Sequence, residues 1–365
     1  NDVRFYHNRG NSTFEGESST HGDFVGLDDF LTEDPRVVDG FIEIYKNWVS
    51  EFKIDGFRID TARHVNPAFW RAFLPALKEH AKAEGVPNFY IFGEAVYWNT
   101  GELAAFMKEA EFEAALDFPM MQALRDQLLS NASGHAFASF LSTDKIYPQG
   151  EATAIRQPVF AGNHDMGRYG GELLKKRPEL TDAQRLMNVR LAHAFLFFSR
   201  GAPVIYYGDE QGFTGDGGDQ DAREDMFPSK VAIYNDNELI ATDATTATSN
   251  FNPKHPLYRA LADMGRVYKA HPALRNGALV VRQSEKQGGG LFALSRIDAA
   301  TGDEYLFVAN MGLEPREAHI EVDPRSPRWT SLIGRCEKRA AAPGSLKVRV
   351  GAQDFLLCRA ARAKN

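Results

Sequence analysis

An α/β architecture of parallel strands alternating with helices, followed by a small antiparallel β domain, is what this 365-residue sequence predicts. Three observations carry that expectation. Short apolar runs recur before residue 277, each ends at or beside an acidic residue, and each is followed by a stretch of helical periodicity. After Gly277 the texture changes to short alternating runs, Leu291-Phe-Ala-Leu-Ser, Tyr305-Leu-Phe-Val-Ala and Leu346-Lys-Val-Arg-Val, broken by Gly, Pro and Asp, which reads as antiparallel strands. Acidic residues stationed at successive ends of parallel strands are what a (β/α) barrel displays at its C-terminal face, where functional groups converge.

Taken in order, residues 1–30 are rich in Gly, Ser and Asn and keep no period, so they read as irregular loop. Asp34-Pro35 is an N-cap followed by Pro at the first helical position, and Val38, Phe41, Ile42, Tyr45, Trp48, Val49 and Phe52 form a helical stripe. That helix delivers the chain into Ile54-Asp-Gly-Phe-Arg-Ile-Asp60. Asn66-Pro67 repeats the cap signal ahead of Phe69, Trp70, Phe73, Leu77 and Ala81, with Pro75 a candidate kink. Four further apolar runs follow, Phe89–Glu94, Ala115–Phe118, Pro158–Asp165 and Pro203–Glu210, with helices expected near 119–130, 182–200 and 256–270.

Composition narrows the function classes. The formal net charge of −7 argues against nucleic acid, because a phosphate backbone is bound mainly through clustered Lys and Arg. No apolar run approaches the roughly 20 residues that span a bilayer. Cys336 and Cys358 offer neither a zinc spacing nor a disulfide framework. Each sits in or beside a short apolar run, so they are expected on neighbouring strands of one β domain, close enough to bond if the protein is exported. Two buried free thiols are the alternative. No signal-like segment is visible; a secreted or periplasmic location is the working expectation.

The chemistry concentrates around Asp60. In a strand, Arg58 and Asp60 point to the same face, and the guanidinium would favour an ionised carboxylate suited to nucleophilic attack. A plain salt bridge is the other reading of that stretch alone. Glu94 and Asp165 stand at two other strand ends. Retaining glycoside cleavage needs a carboxylate nucleophile and a second carboxyl group about 5–5.5 Å away that acts first as acid and then as base. Adjacent barrel strands suit that spacing. Glu94 would need a raised pKa, which an apolar barrel mouth supplies by desolvation. Asp165, in Asn163-His-Asp-Met-Gly-Arg168, could stabilise positive charge on a sugar ring while His164 donates to a ring hydroxyl.

These stretches resemble the α-amylase superfamily of retaining α-glucan hydrolases and transferases. Asp55-Gly-Phe-Arg-Ile-Asp-Thr-Ala-Arg-His64 is similar to its nucleophile motif, Phe92-Gly-Glu94 to its acid/base motif and Asn163–Arg168 to its third-carboxylate motif. Gly201–Glu210 resembles its last barrel strand, and His271–Gly277 the entry to its C-terminal domain. The resemblance implies a partial (β/α)8 TIM barrel, strands four to eight, followed by an antiparallel β-sandwich. Residues 1–33 would be the end of an inserted loop domain, 34–276 the C-terminal part of the barrel and 277–365 the β domain.

Nothing matches strands one to three. The expectation is therefore a fragment, or one piece of a nicked enzyme, that cannot close an eight-stranded barrel alone and has the N-terminal segment of the same enzyme as partner. The resemblance also implies a structural calcium held by the Asp29 carboxylate and the His64 carbonyl, both hard oxygen donors. An ordinary exposed loop acid is the alternative for Asp29. Arg63 and His64 would meet the leaving-group sugar, and Tyr97 and Trp98 would stack on glucose rings, with core packing the alternative for both aromatics. The implied activity is cleavage of α-1,4-glucosidic bonds in starch-like glucans or maltodextrins. A glucanotransferase with the same residues and a non-catalytic glucan-binding module are the rival readings.

Overall fold

The computed structural model describes residues 2–362 and divides them into two compact units, residues up to 119 with 143–158, and residues 120–142 with 159 onward.

In the first unit, helix α1 (Pro35–Phe52) starts where the sequence signals it: the Asp34 side chain accepts from the Arg36 N–H, and Pro35 fills a position that needs no donor. It stops at Lys53, which turns left-handed at φ 50° and caps the Val49 carbonyl. Strand β1 (Gly56–Ile59) follows, then helix α2 (Pro67–Ala83), capped by Asn66 onto the Phe69 N–H. Strand β2 (Tyr90–Gly93) pairs with β1 in parallel, Gly56 facing Tyr90 and Ile59 facing Gly93. A parallel bridge from Gly93 to Ala115 adds a third run. A Cβ on Gly56 would lie 1.9 Å from the Tyr90 carbonyl oxygen, so only glycine lets the two strands meet there. Helix α3 (Thr100–Ala110) completes the layer.

All five stripe residues of α2 are buried, and α2 continues as one helix through Pro75. The α1 stripe is narrower than its periodicity suggested. Val49 is buried and Val38, Phe41, Ile42 and Tyr45 pack against the same core, whereas Trp48 and Phe52 are exposed and rest on each other at 5.1 Å. Helical spacing places a side chain on a face; it does not say how far the core extends under that face.

In the second unit, the short β3 (Pro158–Val159) contributes Val159, whose carbonyl accepts from Val204 just beyond β4 (Ala202–Pro203). Between them runs helix α4 (Asp182–Phe198), opened by a Thr181/Gln184 capping box. Helix α5 (Pro256–Ala270) matches its expected range. The antiparallel part is a five-stranded sheet ordered β5 (Ala278–Ser284), β6 (Leu291–Ile297), β7 (Glu304–Asn310), β11 (Asp354–Ala360), β9 (Trp329–Ile333). The pair β8 (Arg316–Glu321) and β10 (Ser345–Val350) makes a second sheet.

The two-residue period of a strand explains how the central strands bury nearly every residue. Phe292, Leu294, Phe307 and Leu357 join a core with α4, while the alternate residues Leu291, Ala293, Leu306, Val308 and Leu356 join a core with Leu346 and Val348 of β10. One sheet thus serves two cores.

Cys336 and Cys358 are bonded, with Cα atoms 6.0 Å apart. Cys358 lies on β11 and Cys336 just beyond its neighbour β9, as the sequence led us to expect. Their separation of 22 residues implies about 3 kcal/mol from restricting the unfolded chain. Urea unfolding with and without reductant should show a loss of that order; a change under about 0.5 kcal/mol would mean the bond holds nothing together.

Candidate active site

In the first unit the parallel register delivers the site. Ile59 faces Gly93, so the residues that follow, Asp60 and Glu94, leave neighbouring strands side by side. Backbone bonds lock them in place: Glu94 N–H donates to the Ile59 carbonyl at 2.7 Å, and Ala62 N–H to the Glu94 carbonyl at 2.9 Å. Arg58 lies between the two acids. Its Nη1 donates to Asp60 Oδ1 at 2.6 Å and its Nη2 is 3.2 Å from Glu94 Oε1. Thr61 N–H donates to Glu94 Oε2 at 3.2 Å.

The two carboxyl groups live in different environments. Glu94 is 8% exposed, while the Asp60 side chain is 67% exposed. Burial pushes the Glu94 carboxyl above its ordinary range, and the like charge of the neighbouring Asp60 pushes the same way; the Thr61 N–H and Arg58 offset this only in part. The shared Arg58 draws both groups toward one cation.

The flanking residues divide. Arg63 donates to the Val96 carbonyl at 2.6 Å and covers the Tyr97 ring at 4.6 Å, with Tyr97 packed on the unit's core. Core packing is therefore at least part of what Tyr97 does. Trp98 is half exposed and meets Phe118 edge-on at 5.8 Å, which leaves an apolar ring face at the surface. His64 Nδ1 is 3.1 Å from the Ser19 carbonyl, and its ring packs edge-on against Phe14 and Phe24. Burial lowers its pKa, so the ring is held neutral. Asp29 lines a cavity of about 450 Å3 together with Asp28, Asp60 and Thr61. Its Oδ2 is 2.6 Å from His7 Nδ1.

In the second unit Asp165 sits in a turn made by Asn163, whose Oδ1 accepts from the N–H groups of Asp165 and Met166 at 3.0 and 2.7 Å. His164 Nε2 is 3.1 Å from Asp165 Oδ2, and Arg223 Nη2 is 3.5 Å from Oδ1. Sequence reasoning had not picked out what holds this loop. Arg168, fully buried, is ion-paired to the equally buried Glu224, donates to the Tyr207 carbonyl at 2.6 Å and lies over the Tyr206 ring at 4.3 Å. Glu224 Oε1 also accepts from Gly215 N–H at 2.7 Å. For Arg168 the signal was its place at the end of the Asn163–Arg168 motif.

Three comparisons place the chain. Residues 3–279 match the family model described as alpha amylase, catalytic domain, and the chain belongs to that family. It is 45% identical over 319 residues to an α-amylase of Streptomyces lividans, an alignment that takes in 87% of this chain and 35% of that protein. A cyclomaltodextrinase of Geobacillus thermopakistaniensis is 25% identical over 336 residues, 89% of this chain and 48% of that one. The chain thus spans between about a third and a half of the length of these relatives. The crystal structure of an α-amylase from Geobacillus thermoleovorans complexed with acarbose superposes with a TM-score of 0.78 at 22% identity, over 99% of this chain and 72% of that one. That likeness establishes the fold: an α-amylase catalytic-domain fold, the TIM barrel type, with a C-terminal antiparallel sheet domain.

Proposed function

We propose that this chain carries the catalytic carboxylates of a retaining glycosidase that cleaves α-1,4-glucosidic bonds in starch-like glucans or maltodextrins. The observation that supports it best is the split between two adjoining carboxyl groups: Glu94 buried and biased toward its protonated form, Asp60 exposed and paired with Arg58. Environments that push two acids apart assign their roles. Glu94 delivers its proton to the glycosidic oxygen as the bond to the anomeric carbon breaks, and Asp60 attacks that carbon to form a glycosyl ester. Glu94, now ionised, takes a proton from the water that cleaves the ester. Asp165, by its motif and its pairing with His164 and Arg223, is the third carboxylate, stabilising positive charge on the ring. Arg63 and His64 fit the leaving-group side, and the exposed face of Trp98 fits a sugar ring.

If a sugar hydroxyl replaced water in the second step, the same residues would transfer glucan, and a cyclomaltodextrinase relative keeps related substrates in view. Incubating the full-length protein with maltoheptaose separates the two. Hydrolysis gives only shorter products, our expected result; products longer than the substrate would assign transfer, and no turnover at all would leave a binding module.

The chain supplies part of a calcium sphere, in our reading: Asp29 brings a carboxylate to a cavity wall and His64 a backbone carbonyl, hard oxygen donors of the right class. Bound there, the ion would cross-link two loops. We expect calcium to raise the melting temperature of the full-length protein, and Asp29→Asn to abolish that increment; an Asp29→Asn variant that gains as much as wild type would exclude Asp29 as a ligand. We further propose that a polypeptide carrying the first three barrel strands accompanies this chain, which intact-mass analysis of the purified protein would reveal. The disulfide fits an oxidising compartment, hence secretion or the periplasm.

A further inference from the structure

Apart from the catalytic acids, ligand-type side chains gather in the loop that opens the chain. Residues 2–34 hold a single buried residue, Thr32, and their helices are one turn long. Yet three side chains converge there. His7 Nε2 is 2.8 Å from Glu33 Oε2, His21 Nε2 is 3.1 Å from Glu33 Oε1, and the two imidazoles meet edge-on at 4.6 Å. Ligand atoms of all three lie within 4.8 Å of one another.

The far nitrogens of both rings are also engaged. His7 Nδ1 is 2.6 Å from Asp29 Oδ2, and His21 Nδ1 is 3.0 Å from the Glu17 carbonyl. Each ring is thus held at Nδ1 by an oxygen partner while its Nε2 turns toward Glu33. Two imidazole nitrogens and a carboxylate face one another, a donor set of the kind that holds a metal ion. Carboxylate–histidine and carbonyl–histidine contacts at the outer nitrogen are the usual way a metal-binding imidazole is oriented and made more basic, and here both histidines have one. The His7 side chain is only 4% exposed in this arrangement.

We propose that His7, His21 and Glu33 bind a divalent cation of the zinc class, with Asp29 and the Glu17 carbonyl as outer partners. This centre uses none of the catalytic acids and adjoins the proposed calcium site through Asp29. Two imidazoles and one carboxylate suit zinc rather than calcium, which takes oxygen donors. The ion would close the chain segments between His7, His21 and Glu33 and so replace the missing apolar core of this loop by metal cross-links.

The test uses the full chain, stripped with chelator and titrated with zinc in excess calcium. One tight equivalent is expected in wild type, lost in His21→Ala and restored in His21→Cys; Asp29→Asn should weaken binding by about 10–100-fold, the usual effect of an outer partner. Cobalt in place of zinc should give visible ligand-field bands in wild type, independently of whether any variant folds, and a thiolate charge-transfer band in His21→Cys. Equal zinc binding by wild type and a folded His21→Ala variant, or no tight site and no cobalt bands in wild type, would overturn the assignment.

Discussion

Glu94→Gln is expected to lower turnover of the full-length protein by about 10²–10⁴-fold, the range that a positioned proton donor contributes, while raising its stability at neutral pH. The second half follows from the sign of the pKa shift. Folding raises the Glu94 pKa, chiefly through burial, so between the ordinary Glu value and the folded value the native state binds more protons than the unfolded one. Stability therefore falls as pH rises through that window. The amide does not ionise and escapes the penalty, so the variant should match wild type below about pH 4 and exceed it near neutrality. Asp60→Asn should cost at least as much turnover, because it removes the attacking oxygen anion, with little stability change at so exposed a side chain. Kinetics and melting curves across pH check both variants. Turnover within about tenfold of wild type in either would remove that residue from its role.

Glu224→Gln should be among the most damaging substitutions to the fold. It strips the buried Arg168 guanidinium of its carboxylate, and breaking a buried pair from one side costs about 3–5 kcal/mol. The remaining neighbours, the Tyr207 carbonyl and Asp209 Oδ1 at 3.4 Å, recover part of that. Activity should fall too, because Glu224 adjoins Arg223, which reaches Asp165. Urea unfolding measures the first effect, and a loss under about 1 kcal/mol would show that the ion pair contributes little.

The parts of the site that were legible in the sequence are those built locally. Arg58 and Asp60 share a strand face by spacing alone, and the caps at Asp34 and Asn66 announced α1 and α2 where they begin. Parallel pairing then brings Glu94 beside Asp60 with no further information than two strands in register. What escaped depends on distant partners. Arg168 and Glu224 are 56 positions apart, and neither carries a periodic signal that says it is buried. His7, His21 and Glu33 lie in a stretch with no secondary-structure period, so their convergence is a property of loop closure. Trp48 and Phe52 kept the helical period of α1 yet face solvent, because periodicity reports direction and burial depends on what lies opposite.

The central claim, that Asp60 is the nucleophile and Glu94 its acid and base, is tested most directly by trapping the covalent intermediate. A fluorinated α-glucosyl fluoride that forms the ester quickly and loses it slowly should add one glycosyl mass to the full-length protein, and peptide mapping should place it on Asp60. The adduct should be absent from Asp60→Asn and should persist longer in Glu94→Gln, where no base activates water. A label on any other residue, or turnover of the reagent with inversion and no adduct, would contradict the account.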